Sequence, residues 1–325
     1  MTAHALGRPT LPARTVRGAA ALTAVVVLWS TFALSSRALE GSTLTVADGA
    51  LLRFAVPALA LAPWVPRTVR ALRGERAGVL ALVLLAGLPH FLLFAGGADL
   101  TSAGLTGLIV PGTVPVFVTL LVFLRTRVAM PRRRLAALAA IVVGVAVSAL
   151  LTGGDVQASG IAVLVLAGFV WALYTVGLSA TRLDLPAVMV VVSVSSTVVV
   201  LLLAGTGAMP SHLLAGRADW SEVGTFALLQ GVGTGLLSTA CYVVAVKNLG
   251  GSLAGAAGAM SPVLTALVAV PLLGEPVTAG LALALGLIVA GVVVFHLPAP
   301  ARRARIDRSS SASAASVPSS APNNP

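Results

Sequence analysis

The sequence predicts an all-α polytopic membrane protein, with ten transmembrane helices arranged as two inverted five-helix repeats. Three observations predict it. Ten apolar segments follow one another along the 325-residue chain, each with roughly the 17–25 residues that cross ~30 Å of hydrocarbon as a helix. The chain is 58% hydrophobic and 10% charged, with a mean hydropathy of +1.01, a balance that a water-exposed domain of this length could not tolerate. Finally, Ala103–Met130 is related to the Gly251–Thr278 stretch at a fixed offset of 147 residues. Pro115 falls on Pro262, Thr113-Val114 on Met260-Ser261, and Gly144 on Gly291. A repeat of that length inside a hydrophobic chain points to an internally duplicated transporter.

In chain order the predicted spans are 18–38, 46–66, 77–98, 101–124, 134–152, 158–181, 185–205, 222–246, 251–273 and 277–297. Residues 1–17 carry Arg8, Arg14 and Arg17 ahead of the first apolar segment, a start that a signal peptide would share. Gly18–Leu39 is long enough to span and further spans follow it, so the expectation is an uncleaved first helix behind a cytoplasmic N-terminal segment. Residues 18–152 form the first repeat and 153–297 the second. Residues 298–325, rich in Pro, Ser and Ala without apolar periodicity, are expected to be a disordered cytoplasmic tail.

The charges test that topology independently. With the N-terminus inside, the inner segments hold 18 of the 21 basic residues, in clusters such as Arg67/Arg70/Arg73/Arg76 and Arg125/Arg127/Arg132/Arg133/Arg134. The outer segments keep Arg37 and Arg217 with most of the acids: Glu40, Asp48, Asp99, Asp155, Asp219, Glu222 and Glu275. The positive-inside rule predicts this asymmetry for ten spans with both ends cytoplasmic. Five spans per repeat is an odd number, so the two halves enter the membrane from opposite sides. The same distribution removes nucleic acid as the partner of the +11 net charge. A single cysteine, Cys241, excludes a disulfide framework or a thiolate metal cluster. The arginine-rich, lysine-poor composition suits a high-GC bacterium, hence a bacterial plasma (inner) membrane.

The stretch from Gly251 to Thr278 organises the rest. Its first half is paved with small residues that let another helix approach closely. Pro262 then strips the carbonyl of Gly258 of its helical partner. Free backbone groups at membrane depth survive only against protein or a water-filled cavity, so a packed, broken helix beside a cavity is expected.

Several segments together resemble EamA-type members of the drug/metabolite transporter superfamily. They are LWSTF around Trp29, VWALYTV around Trp171, Arg53 in the second span, TSAG…P from Thr101 to Pro115, and SPVLTALVAVPLLGEPVT from Ser261. The resemblance covers roughly residues 18–297 and implies export of metabolites, amino acids or drugs. One departure stands out: Arg127-Val128 occupies the place where such proteins usually have Gly-Glu, while Gly274-Glu275 keeps the pair in the second repeat.

The candidate cavity residues are His90, Arg53, Trp29, Trp171, Tyr174, Thr113, Pro115, Gln230, Met260, Ser261 and Pro262. His90 lies mid-span, where an ionisable group must face the bundle interior. It is either a substrate or proton-coupling group or a neutral histidine bonded to a carbonyl freed by Pro89. Arg53 can snorkel outward, pair with Asp48, Asp99 or another outer acid, or hold an anionic substrate group. The arginine that the family carries here favours the structural ion pair. Glu275, between Gly274 and Pro276, reads as a cap on the tenth helix. Trp64 and Trp220 sit at span ends and read as interfacial belt, whereas Trp29 is too deep for a belt and reads as cavity wall. Gln230 reads first as interhelical glue.

No Walker loop, HExxH, zinc spacing or nucleophile elbow occurs, so nothing supports ATP hydrolysis, metal catalysis or a cofactor. The expected function is a secondary transporter of small organic molecules working by alternating access. Its rivals are an intramembrane enzyme, which would need a catalytic partner for His90 at matching depth, and a scaffold or receptor, for which broken helices would serve no purpose. The expected partners are a small-molecule substrate and the lipid bilayer, with a homodimer left open.

Overall fold

The computed structural model describes residues 12–39, 41–101, 103–128, 130–151, 158–258, 260–265 and 279–296, and among them there are helices and no strands. In chain order the helices are α1 (Ala13–Leu39), α2 (Val46–Ala60), α3 (Val65–Leu72), α4 (Ala77–Leu84), α5 (Leu88–Ala98), α6 (Ala103–Thr126), α7 (Arg132–Leu151), α8 (Ala158–Ala180) and α9 (Leu185–Gly205). Then come α10 (Trp220–Phe226), a π-helical stretch (Ala227–Ser238), α11 (Thr239–Leu249), α12 (Gly251–Gly258) and α13 (Ala279–His296).

Six helices among the described residues are long and apolar enough to cross a membrane: α1, α4 with α5, α6, α8, α9 and the unit Trp220–Leu249. A seventh is added if α2 and the 62–72 segment, bent by 61° from it, count as one span. The count covers the described residues alone, which leave out residues 266–273 of the predicted ninth span. α7 opens on Arg132, Arg133 and Arg134, and the predicted ninth span is interrupted after Gly258. Glu275 and the end of that span, like the tail 298–325, lie outside the described residues.

Local chemistry explains the breaks. Pro63 follows Leu61 at the end of α2, and the chain turns through Ala62–Trp64 into α3, where Arg67 and Arg70 are exposed and Thr68 is buried. The third span bends at residues 85–87. A Cβ on Gly87 would lie 2.1 Å from Ser196 Oγ, and that hydroxyl accepts the Leu88 N–H at 3.0 Å. Beyond the bend Pro89 has no N–H to give the carbonyl of Leu85, and the backbone N–H of His90 takes that carbonyl instead, at 3.2 Å.

The bundle packs α1 against the π-helical stretch and α11, and α8 against α4, α5 and α6. α2 lies between α9 and the π-helical stretch, and α13 runs along α7. Close approach relies on glycine. A Cβ on Gly235 would meet the Arg53 carbonyl at 2.2 Å, and one on Gly231 the Leu52 carbonyl at 2.7 Å. Two apolar cores result. One joins α1, α2, α4, α5, α8, α9 and α11 around Val25, Phe54, Tyr174 and Tyr242; the other joins α6, α7, α8 and α13 around Ile109, Ile141, Leu164 and Ile288.

Polar networks tie the two ends. At one end Asp48 closes a capping box with Thr45 and also accepts from Ser211 Oγ at 2.5 Å and from the N–H groups of His212 and Leu213. Glu222 accepts from the Thr43 N–H and hydroxyl close by. At the other end Arg67 pairs with Asp184 at 2.7 Å, Arg14 donates to the Lys247 carbonyl, and the Lys247 ammonium donates to the Leu183 carbonyl. Glu75 there accepts from Thr181 Oγ1 at 2.5 Å and the Arg182 N–H at 2.8 Å. Burial pushes its carboxyl up, but the hydrogen bonds from Thr181 and from the backbone of Arg76, Arg182 and Leu183 outweigh that and hold it below its ordinary value.

Candidate functional site

A cavity of about 60 Å³ lies between the helices of both halves, walled by Trp29, Phe32, Arg53, His90, Phe94, Gly107, Val110, Pro111, Val114, Trp171, Thr234 and Ser261. α1, α2, α5 and α6 contribute from the first half of the chain, and α8, the π-helical stretch and the short helical segment 261–265 from the second. A second cavity of about 270 Å³ shares the walls Phe32 and Phe94 and extends to Ser42, Thr45, Gly49, Asp99 and Gln230, at the Asp48 end of the bundle. Phe32 and Phe94, with ring centroids 5.1 Å apart, therefore stand where the two cavities meet.

An aromatic cluster supplies most of the inner wall. Trp29 meets Trp171 edge to face at 5.5 Å and Tyr242 at 5.4 Å, and its indole N–H donates to Ser238 Oγ at 3.0 Å. The small residue opposite explains its position: a Cβ on Gly258 would touch the Trp29 ring at 2.9 Å. Tyr174 packs on the far side of Trp171 at 5.2 Å, and Tyr242 bonds Thr175 Oγ1 at 2.8 Å. Ser30 donates to the carbonyl of Ser261 at 3.0 Å, which anchors the break after α12 to α1.

Two ionisable side chains enter this apolar shell. Arg53 is 8% exposed and stacks its guanidinium over the Phe32 ring at 4.8 Å, with Phe54 and Phe91 each at 5.9 Å. Its Nη1 has no hydrogen-bond partner, and no carboxylate lies within ion-pair distance of it among the described residues. The sequence-based expectation of a pair with Asp48 or Asp99 is not met. Asp48 is consumed by the Thr45 and Ser211 contacts, and Asp99 is exposed on the second cavity. His90 is 7% exposed, with its ring 4.7 Å from Trp171, and its Nε2 has no partner either. The carbonyl freed by Pro89 does not engage the imidazole, because the His90 backbone takes it.

The predicted cavity residues therefore divide. Trp29, Arg53, His90, Trp171 and Ser261 come together on the inner wall, and Gln230 lies on the second cavity with its Nε2 donating to Ser35 Oγ at 3.0 Å. Tyr174 lines instead a pocket of about 20 Å³ behind Trp171 and Arg53. Thr113 turns to α8, where its hydroxyl fills the space over Gly168. Pro115 packs under Gly255 of α12. Met260 packs on the second core, and Pro262 is buried off the wall. Sequence reasoning missed Phe32, Phe94, Gly107, Val110, Pro111 and Thr234. Pro111 was the legible signal: it is a second proline in α6, it leaves the Gly107 carbonyl without its helical donor, and both residues line the cavity.

Residues 158–297 match the EamA-like transporter family, part of the drug/metabolite transporter superfamily. The family match lies in the second half of the chain. Members of that family are transporters rather than enzymes, and with several apolar membrane-length helices the chain is a multi-pass membrane protein. The likeness of fold extends beyond the EamA segment. A solved crystal structure, 21% identical, superposes with a TM-score of 0.61 over 86% of this chain and 95% of its own. No curated protein matches the sequence.

Proposed function

We propose that the protein is a secondary transporter that moves small organic metabolites or drugs across the bacterial plasma membrane, most simply outward, by alternating access around the Trp29–Arg53–His90–Trp171 cavity. One observation carries the reading. A cavity built by both halves of an EamA-type bundle holds two buried ionisable groups, each with one polar atom that has no partner among the described residues. Such groups inside a membrane are expensive unless something else binds them.

The packing supports ten spans in two inverted repeats. α8 lies against α4 and α5 as α1 lies against the π-helical stretch and α11, the pairing expected if the first and sixth spans, and the third and eighth, exchange roles. A reporter fused after Arg308 should then be cytoplasmic and one inserted near Asp155 periplasmic; both on one side would end the ten-span topology.

Transport itself is tested in proteoliposomes, with Cys241, the only native thiol, replaced first. Single cysteines at Val114 and Ser261, both on the wall, should react with a small impermeant thiol reagent in a pattern that changes with substrate. Cysteines at Thr113 and Met260, which pack away from the wall, should react far more slowly. Inert cysteines at Val114 and Ser261 from both faces would end the cavity model.

A further inference from the structure

We infer that the ligand this cavity is built to hold is a small organic monocarboxylate with an apolar or aromatic body and no ammonium group, a substrate class that rests on the transporter reading above. The argument starts from what the walls lack. Arg53 and His90 each bring a buried polar atom without a protein partner, Nη1 and Nε2, to one cavity. A guanidinium is permanently charged, so this space carries a fixed positive charge with no anion beside it among the described residues. A bound anion completes the site.

The geometry narrows which anion. The guanidinium carbon stands 4.8 Å from the Phe32 ring centroid, and Nη1 is left for a hydrogen bond. A planar guanidinium fork matches a carboxylate. His90 Nε2, in the tautomer that carries the proton there, can donate a further bond to it. A phosphate or sulfate ester needs more donors and more charge than one guanidinium and one imidazole provide. Size agrees: one water needs about 10–15 Å³ of such space, so the inner cavity of about 60 Å³ suits a carboxylate with a short stem. The remaining walls, Trp29, Phe94, Val110, Pro111, Val114 and Trp171, are apolar contacts for the body, and the 270 Å³ cavity beyond Phe32 and Phe94 has room for a larger one.

The same walls disfavour an ammonium. None of the described residues lining the inner cavity is acidic, and Arg53 would repel a second cation. Asp99 faces the neighbouring cavity. Amino acids, otherwise natural candidates, should therefore be poorer ligands than the corresponding acids without the amine.

Thermal unfolding of the purified full chain in detergent tests this directly, because a ligand of the folded state raises the melting temperature by mass action. The probes are acetate, 4-methylpentanoate, phenylacetate and indole-3-acetate at millimolar concentration, each against its primary amide, with phenethylamine as the cation. At least one carboxylate should shift the melting temperature in a concentration-dependent way, while the amides and the amine do not. Arg53→Gln should abolish the shift, and the ligand-free protein should melt no lower than the wild type because an uncompensated charge has been removed. Arg53→Lys should keep part of the shift, since the charge remains and the fork is lost; His90→Gln should weaken the apparent affinity several-fold. Equal shifts with acid and amide, a shift with phenethylamine, no shift with any of the four acids, or an anion shift that survives in Arg53→Gln each overturns the proposal. So does a ligand-free collapse of both Arg53 variants, which would make the arginine structural. Carboxylate binding without flux in proteoliposomes leaves this inference standing and removes transport. Flux of a neutral or cationic compound unaffected by Arg53→Gln does the reverse.

Discussion

Asp48 and Arg53 lie less than two turns apart on α2, and both are buried, yet their surroundings are opposite. Asp48 accepts hydrogen bonds from the Thr45 N–H, Ser211 Oγ, the His212 N–H and the Leu213 N–H, and every donor comes from the protein. Arg53 has three aromatic rings around it, an Nη1 without a partner, and a cavity beside it. A buried charge that the fold satisfies completely is there to hold the fold. One that the fold leaves incomplete is held for something that comes and goes. The cost of burying each ion is of the same kind, and only the source of compensation differs.

The largest effect should come from Asp48. Asp48→Ala strands four donors at once, the buried Ser211 hydroxyl and three part-buried N–H groups, and at about 1–3 kcal/mol for a buried unsatisfied group the loss should be about 3 kcal/mol or more. Thermal or denaturant unfolding in detergent reads it, with the 206–219 connection detaching first by hydrogen exchange. A variant as stable as the wild type would mean that the cap is replaceable and the comparison empty. Gly235→Ala comes next, since its Cβ would stand 2.2 Å from the Arg53 carbonyl and must push α2 away from the π-helical stretch. Overpacking of this kind costs about 1–3 kcal/mol, and flux should fall with it because Arg53 moves. Flux retained at reduced stability would separate the position of Arg53 from its role.

Arg53→Met sharpens the contrast in the other direction. Replacing a buried, unpaired cation with an apolar chain of similar length should raise stability by about 1 kcal/mol while transport falls by an order of magnitude or more. A marked loss of stability would place Arg53 in the same class as Asp48. The smallest effect belongs to Glu75, at the opposite end of the bundle from Asp48. Its folded carboxyl is held below the ordinary value of 4.5, so its contribution is fully present above that pH and is lost as pH falls through the lower folded value. Hydrogen exchange at Thr181–Leu183 should quicken over that acid range in the wild type, whereas Glu75→Gln should already be fast at neutral pH. The site is largely solvated, so the global melting temperature should hardly move.

The residues on the cavity wall show what sequence could and could not reach. Trp29, Arg53, His90 and Trp171 were legible because a polar or amphipathic side chain at mid-span depth has few other places to go. Thr113 and Val114 were both expected in the cavity region, and only Val114 lines the cavity. The prolines placed the break at the right depth, but neighbouring positions on a helix face different sides. A helix that is apolar all round gives no periodicity to choose between them. Phe32, Phe94 and Thr234 went unseen for the same reason. Nothing distinguishes their sequence context from other apolar or hydroxyl-bearing positions, and they reach the cavity because α1, α5 and the π-helical stretch are rotated to present them.

By itself, then, the sequence determined the solvent and the kind of element. Apolar length requires helices in a bilayer, where each helix satisfies its own backbone, and the prolines and glycines mark where that rule is relaxed. It also carried the EamA resemblance that the match over residues 158–297 bears out. Only the tertiary structure decided which charge is satisfied. That Asp48 binds Ser211 and the 212–213 backbone, leaving Arg53 without an acid among the described residues, depends on contacts more than 150 residues apart in the chain. Pairing of that kind follows from helix rotation and close packing at glycines such as Gly231 and Gly235, and neither is written in the spacing of one segment.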